Sequence, residues 1–89
     1  MTMNQNEQLT LAKMRTGQTG TVVGILGGHG LIRRLDALGI RPGKKVTKLS
    51  SALFRGPVIL RVNNTQVAVG FGMARKIIVA AAKYPPGVS

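Results

Sequence analysis

Five short stretches of the chain either alternate apolar with polar positions or are rich in β-branched and other apolar residues, and both features predict β-strands. The stretches are residues 21–26, 44–50, 58–62, 65–70 and 77–81. Asn63-Asn64 joins the third stretch to the fourth, and side chains that tolerate positive φ predict a tight hairpin there. In the second stretch Val46 and Leu49 have opposite parity, so a bulge or an early end is expected.

A different spacing follows the first predicted strand and indicates one short helix. The segment LIRRLDAL, residues 31–38, places leucines at the i, i+4 and i+7 positions of one helical face. Gly39 suits the left-handed position just beyond a helix, where Ile40 folds back onto Leu35. Pro42 forbids continuation of the helix. The segment "GFGMAR" before the last strand predicts a turn, at most one turn of helix.

Five short strands and one helix after the first strand define the expected fold. A chain of 89 residues predicts a single domain. Short antiparallel strands in so small a domain must cover their edges, and a small barrel achieves this. The prediction is a mainly β protein, a five-stranded SH3-like barrel with a short inserted helix. Its domain spans residues 9–82 between flexible tails, residues 1–8 and 83–89.

Charge is the unusual feature of the composition. Thirteen lysines and arginines face only Glu7 and Asp36, which gives a formal net charge of +11. Such a field attracts acidic proteins, nucleic acids or anionic lipids. The chain has three aromatic residues on which bases could stack, Phe54, Phe71 and Tyr84, so nucleic acid is a weaker match that stays open.

The side chains needed for catalysis or metal binding are scarce. The chain has no cysteine and a single histidine, His29, seven positions from Asp36. Neither a catalytic triad nor a three-ligand metal site can be assembled easily from these residues. The glycine-rich segments match neither the P-loop nor the dinucleotide spacing. We therefore predict no enzyme activity, no catalytic residue and no cofactor, and we assign no metal ligand, while ligation of a metal through His29 of two copies stays open.

The most specific motif is RLDALGIRPG, residues 34–43. A "GP" pair before the third alternating stretch and "VAVG" at residues 67–70 follow it in order. This series resembles the ferrous iron transport protein A (FeoA) family over residues 9–82. The motif residues expected to be architectural are Leu35, Leu38, Gly39, Ile40, Pro42 and Gly43.

The resemblance implies an SH3-like barrel and a cytoplasmic, non-enzymatic accessory protein of bacterial Fe(II) uptake. Its implied partner is the cytoplasmic part of a FeoB-type transporter, and binding to that partner would bring the protein to the inner membrane. The chain itself has no stretch of about 20 apolar residues that would predict a membrane span. A similar domain ends DtxR-type repressors, so a nucleic-acid-associated or metal-responsive regulatory domain is the alternative. Pairing of two copies at a barrel edge also stays open.

Basic residues cluster around the motif more densely than folding requires. We hypothesise that they form the docking surface for an acidic cytoplasmic partner. The surface comprises Arg33, Arg34, Arg41, Lys44 and Lys45, together with Phe54 and Arg55 in the following loop.

Overall fold

The computed structural model describes residues 6–51 and 56–82 and contains one six-stranded antiparallel sheet. The elements in chain order are β1 (Asn6–Thr10), a 3₁₀ helix (Leu11–Lys13), β2 (Thr19–Ile25), α1 (His29–Ala37), β3 (Lys45–Ser51), β4 (Val58–Val62), β5 (Thr65–Val69), α2 (Phe71–Ala74) and β6 (Ile77–Ala82). The strand order is β1-β6-β2-β3-β4-β5, so β1 and β5 each have one neighbour among the described strands. The mainly β prediction is confirmed.

The predicted number of strands was wrong, because the described part of the chain forms six strands rather than five. The additional strand is β1, which pairs with β6 and places Leu9 opposite Val79. Its sequence, NEQLT, includes residues 6–8, which the pattern had assigned to the N-terminal tail. An edge strand held by backbone hydrogen bonds needs few buried side chains, so β1 carries no alternation signal. The predicted strands and the helix around the motif are present, with ends displaced by at most two residues.

A single aliphatic core lies beneath the sheet and α1. The alternating positions of β4 and β6 face inward as predicted, and the 3₁₀ helix adds a fully buried leucine. The buried core residues are Leu11, Met14, Val22, Leu35, Ile40, Val46, Val58, Leu60, Val62, Val69, Ala74, Ile77, Val79 and Ala81.

The irregularity expected in β3 is a bulge at Leu49. The pairing of β3 with β4 shifts between Lys48 and Ser50, which leaves Leu49 without a register partner. Val46 and Lys48 are buried on the inner face, whereas Leu49 is only half-buried. Lys48 has the same parity as Val46, so alternation along β3 directs a lysine, rather than the leucine, toward the interior.

The end of α1 has the geometry that the motif predicts. Gly39 adopts a φ of 87°, its N–H donates to the Asp36 carbonyl, and the N–H of Ile40 donates to the Leu35 carbonyl, both at 2.9 Å. This pattern is a Schellman motif, in which a left-handed residue lets the chain reverse over the last helical turn. Leu35 and Ile40 are both fully buried, so the motif anchors α1 to the core.

The hairpin between β4 and β5 is also as predicted. Asn63 and Asn64 both have positive φ, 53° and 62°, between the paired residues Val62 and Thr65. Two successive positive φ values define a type I′ turn, which matches the twist of the flanking strands.

No helix in the described ranges is long and apolar enough to cross a membrane.

Candidate docking surface

The basic residues of α1 are presented to solvent by the way the helix packs. Leu35 points into the core, while Leu31 and Leu38 pack against it from the same face of the helix. Arg33 and Arg34 fall on the other side and are exposed. Burial of one leucine stripe thus fixes both arginines on the outer surface of the domain.

Arg41 lies just beyond the Schellman motif and is partly neutralised. Its Nη1 donates to Oδ1 of Asp36 at 3.0 Å, and both side chains are about half exposed, 53% and 50%. An ion pair this exposed contributes little to stability, roughly 0–1 kcal/mol, but it reduces the free positive charge at this position. Arg41 is therefore a weaker anchor for an acidic partner than the sequence suggests.

Lys44 and Lys45 enter β3 in different environments. The backbone of Lys44 is tied to β2, since its carbonyl accepts a hydrogen bond from Val22 N–H at 2.9 Å, and its side chain is half-buried. Lys45 is exposed and faces a shallow groove. Of the predicted docking residues that the structure describes, Lys45 is the one that lines this groove.

We call this feature the β3–β4 groove; it has a volume of about 270 Å³. Its lining residues are Lys45, Thr47, Arg61, Asn63 and Asn64. Thr47 pairs with Arg61 across β3 and β4, and its hydroxyl lies 2.8 Å from the hydroxyl of Thr19 on β2. The Asn63-Asn64 turn closes one end, so two cations and two amides surround a concave surface.

The charge in the β3–β4 groove is not balanced by any acidic residue. Neither acid of the chain lines the groove, since Asp36 pairs with Arg41 and Glu7 is on β1. Lys45 and Arg61 are both exposed. A carboxylate of a partner could therefore pair with Lys45 or Arg61 without breaking an existing ion pair.

Sequence reasoning missed Arg61, Thr47, Asn63 and Asn64 as components of this surface. Lys45 and Thr47 share parity, which places them on one face of β3. The pairing of Thr47 with Arg61 depends on the register of two strands separated by six residues of the chain, and β3 also contains a bulge. No local pattern reports that register.

One member of the dense basic run, residues 41–48, does not belong to the surface. Lys48 is buried, with 3% of its surface exposed, and its Nζ donates to the carbonyl oxygens of Ala12 and Met14. Burial lowers the pKa of the Lys48 ammonium from its ordinary value of 10.5. Lys48 is a structural residue, and its role came from the tertiary structure.

Two predicted docking residues, Phe54 and Arg55, lie outside the described residues. His29 begins α1 and is exposed. Within residues 6–51 and 56–82, no three His, Cys, Asp or Glu side chains come together as metal ligands.

Comparison with known proteins assigns a family to nearly the whole domain. The FeoA domain family matches residues 9–81. The Fe(2+) transport protein A of Methanocaldococcus jannaschii is 35% identical over 74 residues, which is 83% of this chain and 88% of that protein.

Solved structures show the same fold. A crystal structure of an iron uptake regulatory protein, FeoA, is 35% identical, covers 84% of this chain and 97% of its own, and superposes with a TM-score of 0.78. FeoA of Stenotrophomonas maltophilia complexed with zinc, described as a prokaryotic SH3 domain protein, is 23% identical with a TM-score of 0.68, over 80% of this chain and 88% of its own.

The fold also occurs in regulators of transcription. A manganese-dependent transcriptional repressor is 24% identical with a TM-score of 0.78, over 88% of this chain but 44% of the repressor. At this identity the likeness shows the fold alone, because one fold serves several functions.

Proposed function

The chain belongs to the FeoA family of ferrous iron transport, and on this premise we propose that it is a cytoplasmic accessory protein that docks on a FeoB-type Fe(II) transporter. In this proposal it performs no chemistry; Fe(II) is the cargo of the transporter. The docking surface comprises the exposed Arg33, Arg34 and Arg41 of α1 and the turn after it, together with the half-buried Lys44, and is extended by the β3–β4 groove.

The observation that supports this proposal best is the unpaired charge of the β3–β4 groove. Lys45 and Arg61 project beside Thr47, whose position is held by the hydroxyl of Thr19. Charge of one sign on a concave surface steers an oppositely charged partner and fixes its orientation. An acidic segment on the cytoplasmic part of the transporter is the partner that this groove fits.

The test measures binding of the full chain to the cytoplasmic GTP-binding domain of the transporter at about 0.15 M salt. Reversal of both groove cations, Lys45→Glu with Arg61→Glu, should weaken binding at least about tenfold. Lys76→Glu, an exposed charge outside the groove, is the matched control and should change affinity far less. Absence of binding, or equal binding by the double variant, would overturn the proposal.

A second arm of the same experiment addresses nucleic acid. Binding to a DNA duplex through phosphate contacts falls steeply with salt, with a slope near 0.9 per phosphate neutralised. If the chain binds a 20-base-pair duplex at 0.15 M salt but not the transporter domain, the regulatory alternative replaces the accessory function.

A further inference from the structure

A second concave site lies between the 3₁₀ helix, which follows β1, and α2, which follows β5. We call it the Phe71 pocket; its volume is about 340 Å³. It is lined by Thr10, Ala12, Lys13, Phe71 and Arg75. It is more enclosed and more apolar than the β3–β4 groove, and its volume falls at the lower end of the range of ligand pockets, about 300–1,000 Å³.

The apolar wall of the pocket is held in place by the core. Ala12 and Phe71 are half-buried. Ala12 follows the fully buried Leu11 in the 3₁₀ helix, and Phe71 begins α2, in which Ala74 is fully buried. The first turn of α2 is closed by N–H groups of Met73 and Ala74 donating to the Gly70 carbonyl. The Phe71 ring therefore forms part of a preformed wall and does not depend on a partner for its position.

The rim of the pocket is cationic. The Arg75 guanidinium carbon lies 6.0 Å from the centroid of the Phe71 ring, at the distance of a cation–π contact. Lys13 stands across from it at the end of the 3₁₀ helix, and both side chains are exposed. Neither acid of the chain lines the pocket; Glu7 is three positions before Thr10 on β1, and alternation puts their side chains on opposite faces.

An apolar cavity with two cations at its rim selects a particular kind of occupant. A buried aliphatic side chain gains from leaving water, while carboxylates on either side of it can pair with Lys13 and Arg75. A single strand of nucleic acid fits less well, because it needs successive aromatic rings and Phe71 is the one aromatic residue among those described.

We propose that the Phe71 pocket binds a short acidic segment of a partner protein by enclosing one aliphatic side chain of that segment. This inference rests on the proposed function in taking a protein as the occupant, and it adds the sequence character of the recognised segment. The segment carries a leucine or a residue of similar size between acidic residues.

The test titrates the labelled full chain with the peptide acetyl-Asp-Glu-Leu-Glu-Asp-amide and follows backbone amide NMR signals. Saturable shifts are expected at Ala12, Lys13, Phe71 and Arg75. A matched peptide with serine in place of leucine should bind about tenfold more weakly, since it leaves the apolar wall uncovered. Equal affinity for the two peptides would overturn the proposal, because binding would then be charge attraction alone.

Charge reversals identify the rim. Arg75→Glu and, separately, Lys13→Glu should weaken the leucine peptide at least about threefold, whereas Lys76→Glu, the adjacent exposed charge that does not line the pocket, should not. If Lys76→Glu weakens binding as much as Arg75→Glu, or if the shifts centre on Lys45 and Arg61, the assigned pocket is wrong. A short single-stranded DNA that displaces the peptide would also overturn the choice of occupant.

The two proposals fail separately. If the transporter domain binds the wild-type chain but the peptide causes no shifts around Phe71, the pocket proposal is wrong and the proposed accessory function stands. Peptide bound at Phe71 with no binding of the transporter domain keeps the pocket and removes that function.

Discussion

The ammonium nitrogen of Lys48 lies 2.6 Å from the carbonyl oxygen of Met14 and 3.1 Å from that of Ala12. Lys48 stands on the inner face of β3, and the two carbonyls belong to the connection between β1 and β2. No buried side-chain nitrogen or oxygen in the described part of the chain lacks a hydrogen-bond partner. A lysine thus occupies a core position, and its hydrogen bonds hold the connection between β1 and β2, part of which lines the Phe71 pocket.

Replacement of Lys48 by methionine should lower the free energy of unfolding at pH 7 by about 1–3 kcal/mol. The substitution retains much of the side chain's bulk but leaves the carbonyls of Met14 and Ala12 without their donor, and buried unpaired carbonyls cost about that much. Urea denaturation measures the change. The control is Lys45→Met, an exposed position on the same strand, expected within about 0.5 kcal/mol of wild type. A Lys48→Met protein as stable as wild type would show that these hydrogen bonds contribute nothing net.

Lys48 should also make the stability depend on pH in the alkaline range. Burial lowers the pKa of its ammonium below the ordinary 10.5, so between the lowered pKa and 10.5 the unfolded chain binds more protons than the folded one. Stability contributed by this group therefore rises with pH through that window. Urea unfolding of wild type and Lys48→Met from pH 7 to 11 isolates the effect. As the pH rises, the free energy of unfolding of wild type should increase relative to that of the variant. A constant difference would contradict the assignment.

Two glycines of β2 should respond in opposite ways to alanine. At Gly20 an added Cβ would lie 2.4 Å from Cγ1 of Val79 and 2.8 Å from the carbonyl oxygen of Ala80, so β2 and β6 must separate. Overpacking of this kind costs about 1–3 kcal/mol. At Gly24 an added Cβ meets nothing within 4 Å, and Gly24→Ala should be neutral or stabilising by up to about 1 kcal/mol. Thermal unfolding of both variants checks the pair, and equal midpoints would mean that β6 is not so close to Gly20.

The two faces of α1 should differ sharply in their contribution to stability. Leu35 is fully buried and Ile32 is 39% exposed. Leu35→Ala should cost about 2–5 kcal/mol, because the cavity opens in a thin core, whereas Ile32→Ala should cost much less. A small shift of the urea midpoint for Leu35→Ala would mean that α1 does not pack on the sheet as described.

Charge reversal at the turn after α1 should affect docking more than folding. In the double variant Arg41→Glu with Lys44→Glu, the exposed Arg41–Asp36 ion pair is lost, at a cost of roughly 1 kcal/mol or less. Affinity for the transporter domain should fall, though less than for the Lys45 and Arg61 reversal, since Asp36 already offsets Arg41. Unchanged affinity at low salt would remove Arg41 and Lys44 from the docking surface.

The local motifs were readable because each depends on neighbours in sequence. Gly39 and Ile40 end α1 through hydrogen bonds to residues three to five positions earlier, and the Asn63-Asn64 turn needs only its own backbone angles. The resemblance to FeoA rests on the same short-range motif and is confirmed by the family match. The predicted docking residues remain a proposal.

The sequence by itself determined the elements from β2 onward, the aliphatic core and the family, because alternation and helical spacing record which side of each element meets the core. Only the tertiary structure decided the rest. β1 is held by backbone pairing with β6, which leaves no side-chain pattern. Lys48 occupies an inward position of β3 where its ammonium meets carbonyls of a distant connection, and the two candidate binding sites combine residues from distant elements. Register and packing bring these groups together, and neither is written in the order of neighbouring residues.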